Sequence, residues 1–246
     1  MYLKITLHFF LKKILIYEKR MVVWEIDLWT VFITVFILVF LTFLFVLFQL
    51  YFVPNDDDFR SSKYSKIKSK LRTGDLLIVS YPSYRGKLVK IFTGSSWTHC
   101  GMVMKKRGKY YVIEIARYSR DERGLILKPL DDWIEWNSDY IISLRKYNGE
   151  KKFPKKKLQN LLKQSEDYEE DLSVVSWLKT TIRRRYYPED KDYYYCSEFM
   201  AHIMQKIGIM KKIVIPSSFK PWELLYGKLP MYDGYLYVNS PVILDL

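Results

Sequence analysis

Cys196 heads the run Cys196-Ser197-Glu198-Phe199-Met200-Ala201-His202, and it shares a face with Phe199, Met200, Ile203 and Ile207 at helical spacing. A thiol at a helix start gains from unpaired N–H groups and from the positive end of the helix dipole. Both lower its pKa and make it a nucleophile. The same N–H groups could hold an oxyanion. Such a nucleophile needs a base, and the histidines are His8, His99 and His202. His8 lies in the N-terminal segment and is set aside. His202 is six residues along the same helix, about 240° round its axis, and cannot meet Cys196. That leaves His99, which follows the polar turn 93–98 and opens an apolar stretch. Glu114 sits inside another apolar run, 110–116, where a buried carboxylate must find a partner. It has the parity of Val112 and Ala116, so across a hairpin it could lie beside His99 and hold Nδ1–H. An ion pair with Arg85 or Arg117 is the structural alternative. Cys100 adjoins His99, points to the opposite face of a strand and reads as core. A single cysteine is by default ordinary core filling; position and company favour chemistry at Cys196.

These residues need elements to carry them. Residues 75–81 follow Gly74 as a continuous apolar run and predict a buried strand. Residues 98–104 predict a second strand. Residues 110–117 pair with it as a hairpin through the turn 105–109, which contains Gly108. Short strands at 125–128 and 141–144 flank a helix at 130–136. Pro154 opens a charged helix to about residue 172, with a second helical stretch to about 184. Residues 195–207 predict the helix of Cys196, ended by Gly208, and 221–226 a short one. The tail from Met231 alternates weakly and could add strands.

Five pieces in this order carry a family resemblance. They are Arg72-Thr73-Gly74-Asp75-Leu76-Leu77, Thr98-His99-Cys100-Gly101-Met102-Val103, Val112-Ile113-Glu114-Ile115-Ala116, Tyr195-Cys196-Ser197-Glu198-Phe199 and Ile215-Pro216-Ser217-Ser218-Phe219. Together, over residues 71–226, they resemble the circularly permuted NlpC-type papain-like cysteine hydrolases. That family has bacterial and poxviral members and is related to lecithin–retinol-type acyltransferases. The resemblance implies an α+β fold, a permuted papain-like domain with a small antiparallel sheet packed on the nucleophile-bearing helix. It implies acyl-enzyme chemistry on an amide, ester or thioester, with Cys196 as nucleophile, His99 as base and Glu114 as orienting acid. The Cys196 N–H is then the oxyanion donor, with Tyr194 or Tyr195 assisting. It implies no cofactor and no metal. Two features depart from the family: Ser217-Ser218 stand where it often has a carboxylate, and the basic helical insert 154–185 has no counterpart there.

The chain of 246 residues is rich in Lys, Ile and Tyr, as in an AT-rich genome, and 17% aromatic, which excludes a disordered chain. Two cysteines make no disulfide framework. Residues 28–53 carry no charge, and at 26 residues they exceed the about 20 that cross a bilayer. The domain organisation expected is therefore a juxtamembrane segment 1–27, a transmembrane helix 28–53, a charged tether 54–70 and a hydrolase domain 71–246. Lys and Arg counts on the two flanks lean towards a cytosolic domain, on a host membrane or in a virion. The net charge of +13 suits a membrane lipid surface as partner beside the carbonyl substrate. Nucleic acid is disfavoured, for no zinc-finger spacing or RNP-like motif occurs. Oligomeric state is not legible. The alternative function is a non-enzymatic lipid- or peptide-binding membrane protein that keeps the cleft.

Overall fold

The structure is a computed structural model describing residues 29–45, 60–81, 86–87, 89–90, 95–118, 123–165, 168–170, 193–213, 215–238 and 240–246. The chain divides into two compact units, Met1–Phe52 and Val53–Leu246. In the first, residues 29–45 are helical, with the hydroxyls of Thr34 and Thr42 bonded back to the carbonyls of Thr30 and Leu38. This corrects the expected transmembrane helix. Among the described residues no helix is long and apolar enough to cross a membrane. The single-pass membrane location expected from residues 28–53 falls with it. Residues 1–28 and 46–59 lie outside the described residues.

The second unit is built on one sheet of seven strands: β1 Arg60–Lys63, β2 Leu76–Ser80, β3 His99–Lys106, β4 Lys109–Arg117, β5 Arg123–Pro129, β6 Ile141–Arg145 and β9 Val242–Asp245, in the order β1-β9-β6-β2-β3-β4-β5. β1 runs parallel to β9 and the other neighbours are antiparallel. The expected small antiparallel sheet is thus replaced by a larger, mixed one. Part of the expected tether is fold: β1 and helix α1, Tyr64–Lys68, lie within it, and Ile67 is buried. A short pair, β7 Glu169–Glu170 and β8 Tyr193–Tyr194, stands apart and is parallel. The other helices are α2 Leu130–Trp136, α3 Lys155–Gln164, α4 Cys196–Lys206 and α5 Pro221–Tyr226. The helix expected to reach about residue 172 stops at Gln164, and β7 follows it. The stretch expected at 172–184 lies outside the described residues.

Both faces of the sheet are covered, which is why its central strands read as unbroken apolar runs rather than alternating ones. All five residues of β2 are buried. On one face Leu76, Ile78, Cys100, Met102, Ile113 and Ile115 pack with Phe199, Met200 and Ile203 of α4. On the other, Leu77, Val79, Val103 and Val112 pack with Leu130, Trp133 and Ile134 of α2. The β3–β4 hairpin turns through Arg107 and Gly108 at φ 49° and 81°, between the paired Lys106 and Lys109. Positive φ at both central residues is the primed turn that matches strand twist.

Candidate active site

The hairpin register explains how His99 and Glu114 meet. Met102 pairs with Ile113, so Glu114 stands opposite Gly101 and diagonal to His99, on one face of the sheet. Gly101 leaves the room this needs: a Cβ there would lie 2.6 Å from Val112 Cγ1 and 3.5 Å from Glu114 Cβ. The His99 ring reaches Glu114 through Nε2, at 2.7 Å from Oε2. The nitrogen engaged is therefore Nε2 and not the expected Nδ1, which leaves Nδ1 as the ring nitrogen available to a thiol. Arg85 lies outside the described residues, and Arg117 is not among the groups bonded to Glu114. Its carboxylate, 0% exposed, also accepts the Trp133 Nε1–H at 2.9 Å and the Tyr118 hydroxyl. Burial works to raise its pKa, but hydrogen bonds from His99, Tyr118 and Trp133 and the His99 charge win, and Glu114 is held below the usual carboxylate range.

Cys196 is the first residue of α4, so its N–H has no acceptor within the helix. Glu198 accepts the Tyr195 N–H at 3.3 Å and closes the helix start. The Cys196 Sγ lies 3.9 Å from the Thr98 carbonyl oxygen, at the mouth of β3. A hydrogen bond from the Cys100 thiol is the strongest influence on Cys196. Burial opposes it, and the His99 charge and a His99 hydrogen bond add to it, so the Cys196 thiol is held well below its ordinary value. Burial pulls His99 down, while Tyr81, Cys196 and Glu114 raise it well above the usual histidine range. Burial pushes Tyr81 up to about 12, so it is a neutral phenol near pH 7. The thiolate and the carboxylate are then the anions that hold the proton on His99. These shifts run in the direction that favours a thiolate beside an imidazolium, with the Glu114 carboxylate behind it.

The structure pairs His99 with Glu114 and sets Cys196 near enough to His99 for their charges to interact. Tyr194 is buried in an aromatic cluster, its ring 4.8 Å from His202 and 5.1 Å from Tyr168. Tyr195 immediately precedes Cys196, as the N-cap of α4. Cys100 is core, as expected: it faces away from His99, is fully buried, and lies on the α4 side in the same cluster as Cys196. Sequence reasoning missed Tyr81, Tyr118 and Trp133. The Tyr81 ring packs on His99 with centroids 5.7 Å apart and stands edge-on to Tyr140 at 5.1 Å. Strand parity was a usable signal for Tyr118, which is four residues beyond Glu114. The spacing of Leu130, Trp133 and Ile134 was one for the inward face of α2. Among the described residues no group of three or more His, Cys, Asp or Glu is placed to hold a metal ion.

No protein-family model and no curated protein matches the chain. Among solved structures it is similar to the metalloprotein yiiX from Escherichia coli O157:H7, at 18% identity over 69% of this chain and 97% of that one, with a TM-score of 0.41. A likeness that slight bears on neither fold nor function.

Proposed function

We propose that the chain is a thiol hydrolase that opens an amide, ester or thioester through an acyl-enzyme. The observation that carries this reading is the buried His99 Nε2–Glu114 Oε2 contact at 2.7 Å, beside a Cys196 thiol that Cys100 and His99 hold below its ordinary value. In the reaction the Cys196 sulfur attacks the carbonyl carbon, and the C=O electron pair moves to oxygen. The Cys196 N–H at the start of α4 faces the resulting oxyanion. Collapse expels the amine, alcohol or thiol, which takes the proton from His99, and leaves an acyl thioester. His99 then takes a proton from water, whose oxygen attacks the thioester, and the thiolate departs. Glu114 keeps the imidazole oriented and offsets its charge throughout. The order His99, Glu114, Cys196 is also what the NlpC-type resemblance implies, and Tyr194 and Tyr195 remain candidates for assisting the oxyanion.

The test is alkylation and turnover on the intact chain. At pH 6 iodoacetamide is expected to label Cys196 at least about tenfold faster than Cys100 or a free thiol. Cys196→Ala is expected to lower hydrolysis of a thioester probe by about 10³-fold or more. Equal labelling rates, with no probe cleavage by the native chain above background, would leave a lipid- or peptide-binding protein and no enzyme.

A further inference from the structure

The proposed reaction uses one thiol, yet two meet at the site. Cys100 is fully buried on the face of β3 that α4 covers, within the same apolar cluster as Cys196. Thr98 has the same strand parity as Cys100, and its carbonyl oxygen lies 3.9 Å from the Cys196 sulfur. The nucleophile therefore rests over the stretch of β3 that presents Cys100, and each thiol shifts the ionisation of the other. Both are free thiols. His99 and Cys100 are consecutive on β3, so one strand offers the nucleophile a base from one face and a second thiol from the other.

We propose that Cys100 is a resolving thiol, which converts a peroxide-oxidised Cys196 into an intramolecular Cys100–Cys196 disulfide and so makes loss of the nucleophile reversible. This rests on the reading of Cys196 as an ionised nucleophile. The oxidant is a hydroperoxide. The Cys196 thiolate attacks the peroxide oxygen, the O–O bond breaks, and sulfenic acid and hydroxide form. The Cys100 sulfur then attacks the sulfenyl sulfur. The S–S bond forms, the S–O bond breaks, and water leaves with the Cys100 proton. Two electrons pass from the two thiols to the peroxide. A dithiol returns both cysteines to the reduced state by exchange. Without a resolving thiol the sulfenic acid stays exposed to a second peroxide and reaches sulfinic acid, which thiols do not reverse. Burial keeps the Cys100 thiol raised well above its ordinary value. It therefore stays protonated and unreactive until the neighbouring sulfur becomes electrophilic.

Peroxide treatment of the native chain, followed by peptide mapping, is the test. The expected product links the Cys100 and Cys196 peptides with the loss of two hydrogens, and dithiothreitol restores iodoacetamide labelling of Cys196. In Cys100→Ser, and separately in Cys100→Ala, dimedone is expected to trap a Cys196 sulfenic acid. Recovery of labelling after peroxide should fall by at least about tenfold in both. If the native chain gives the dimedone adduct and no linked peptides, the inference is wrong while the nucleophile reading stands. If it gives neither adduct nor link and Cys196 also resists iodoacetamide, both are wrong.

Discussion

At Glu114 a carboxylate with no exposure is satisfied by three donors from three places: the ring of His99, the indole of Trp133 and the hydroxyl of Tyr118. An unpaired carboxylate so buried would take up a proton, and these donors prevent it. Its charge in turn helps keep His99 protonated, and His99 helps keep Cys196 ionised. Glu114→Gln retains an acceptor and the volume while removing the charge. His99 is then expected to lose its proton at lower pH, and the thiol to regain its own. The pH above which Cys196 alkylates rapidly should move towards that of a free thiol. Steady-state turnover of the thioester probe should fall by about 10²–10⁴-fold, the scale seen when an orienting carboxylate loses its charge. Unchanged alkylation across pH 5–9 would remove Glu114 from the machinery.

The β3–β4 hairpin is the element that sets His99 against Glu114, and its tolerance lies at Gly101. A methyl group there would need to displace Val112 Cγ1, at 2.6 Å, and press on the Ile113 carbonyl at 3.1 Å. Gly101→Ala is therefore expected to cost about 1–3 kcal/mol in urea unfolding, the usual range for overpacking. It should also slow turnover of the folded protein by disturbing the His99–Glu114 diagonal. A neutral effect on both would mean the hairpin gives way without moving the pair. Helix α2 contributes on the same face, where Trp133 fills the core and also donates to Glu114. Helix α4 supplies Cys196 on the other face. The site thus gathers at one end of β3, where two layers that otherwise never meet come within reach.

Across the whole second unit, buried polar groups join the ends of the chain to the sheet. Arg145 donates to the carbonyls of Val238, Leu224 and Gly227 and so ties β6 to the C-terminal segments. Asp75 accepts the N–H groups of Arg72 and Tyr147 at 2.8 and 2.9 Å and bridges the entry of β2 to the exit of β6. Burial pushes its carboxyl from 3.8 up to about 6, against the pull of those hydrogen bonds and of Lys146 and Arg72. Between these two values the native protein binds more proton at Asp75 than the unfolded chain does. Its contribution to stability is therefore greatest below pH 3.8 and declines as pH rises towards 6. Asp75→Asn places an amide NH₂ against one of the backbone N–H groups and is expected to cost about 1–3 kcal/mol. The gap between native and variant urea midpoints should narrow from pH 4 to pH 6.5. A constant gap would show that Asp75 does not titrate in that window.

Local pattern alone was enough for the pieces. Period-two parity allowed Glu114 to lie beside His99 across the hairpin, helical spacing put Cys196 on an inward face of its helix, and the roughly 240° round the axis between Cys196 and His202 removed the latter. These follow from the fixed periods of strand and helix, which every sequence obeys regardless of its neighbours. What crosses between elements was not legible. That β1 pairs with β9, nearly the whole unit away in sequence, depends on where the sheet leaves an open edge. The same limit bears on the feature from which the sequence reading began. Parity said that Cys100 faces away from His99, which is true. Only the packing of α4 on that other face decided that facing away from His99 means facing Cys196.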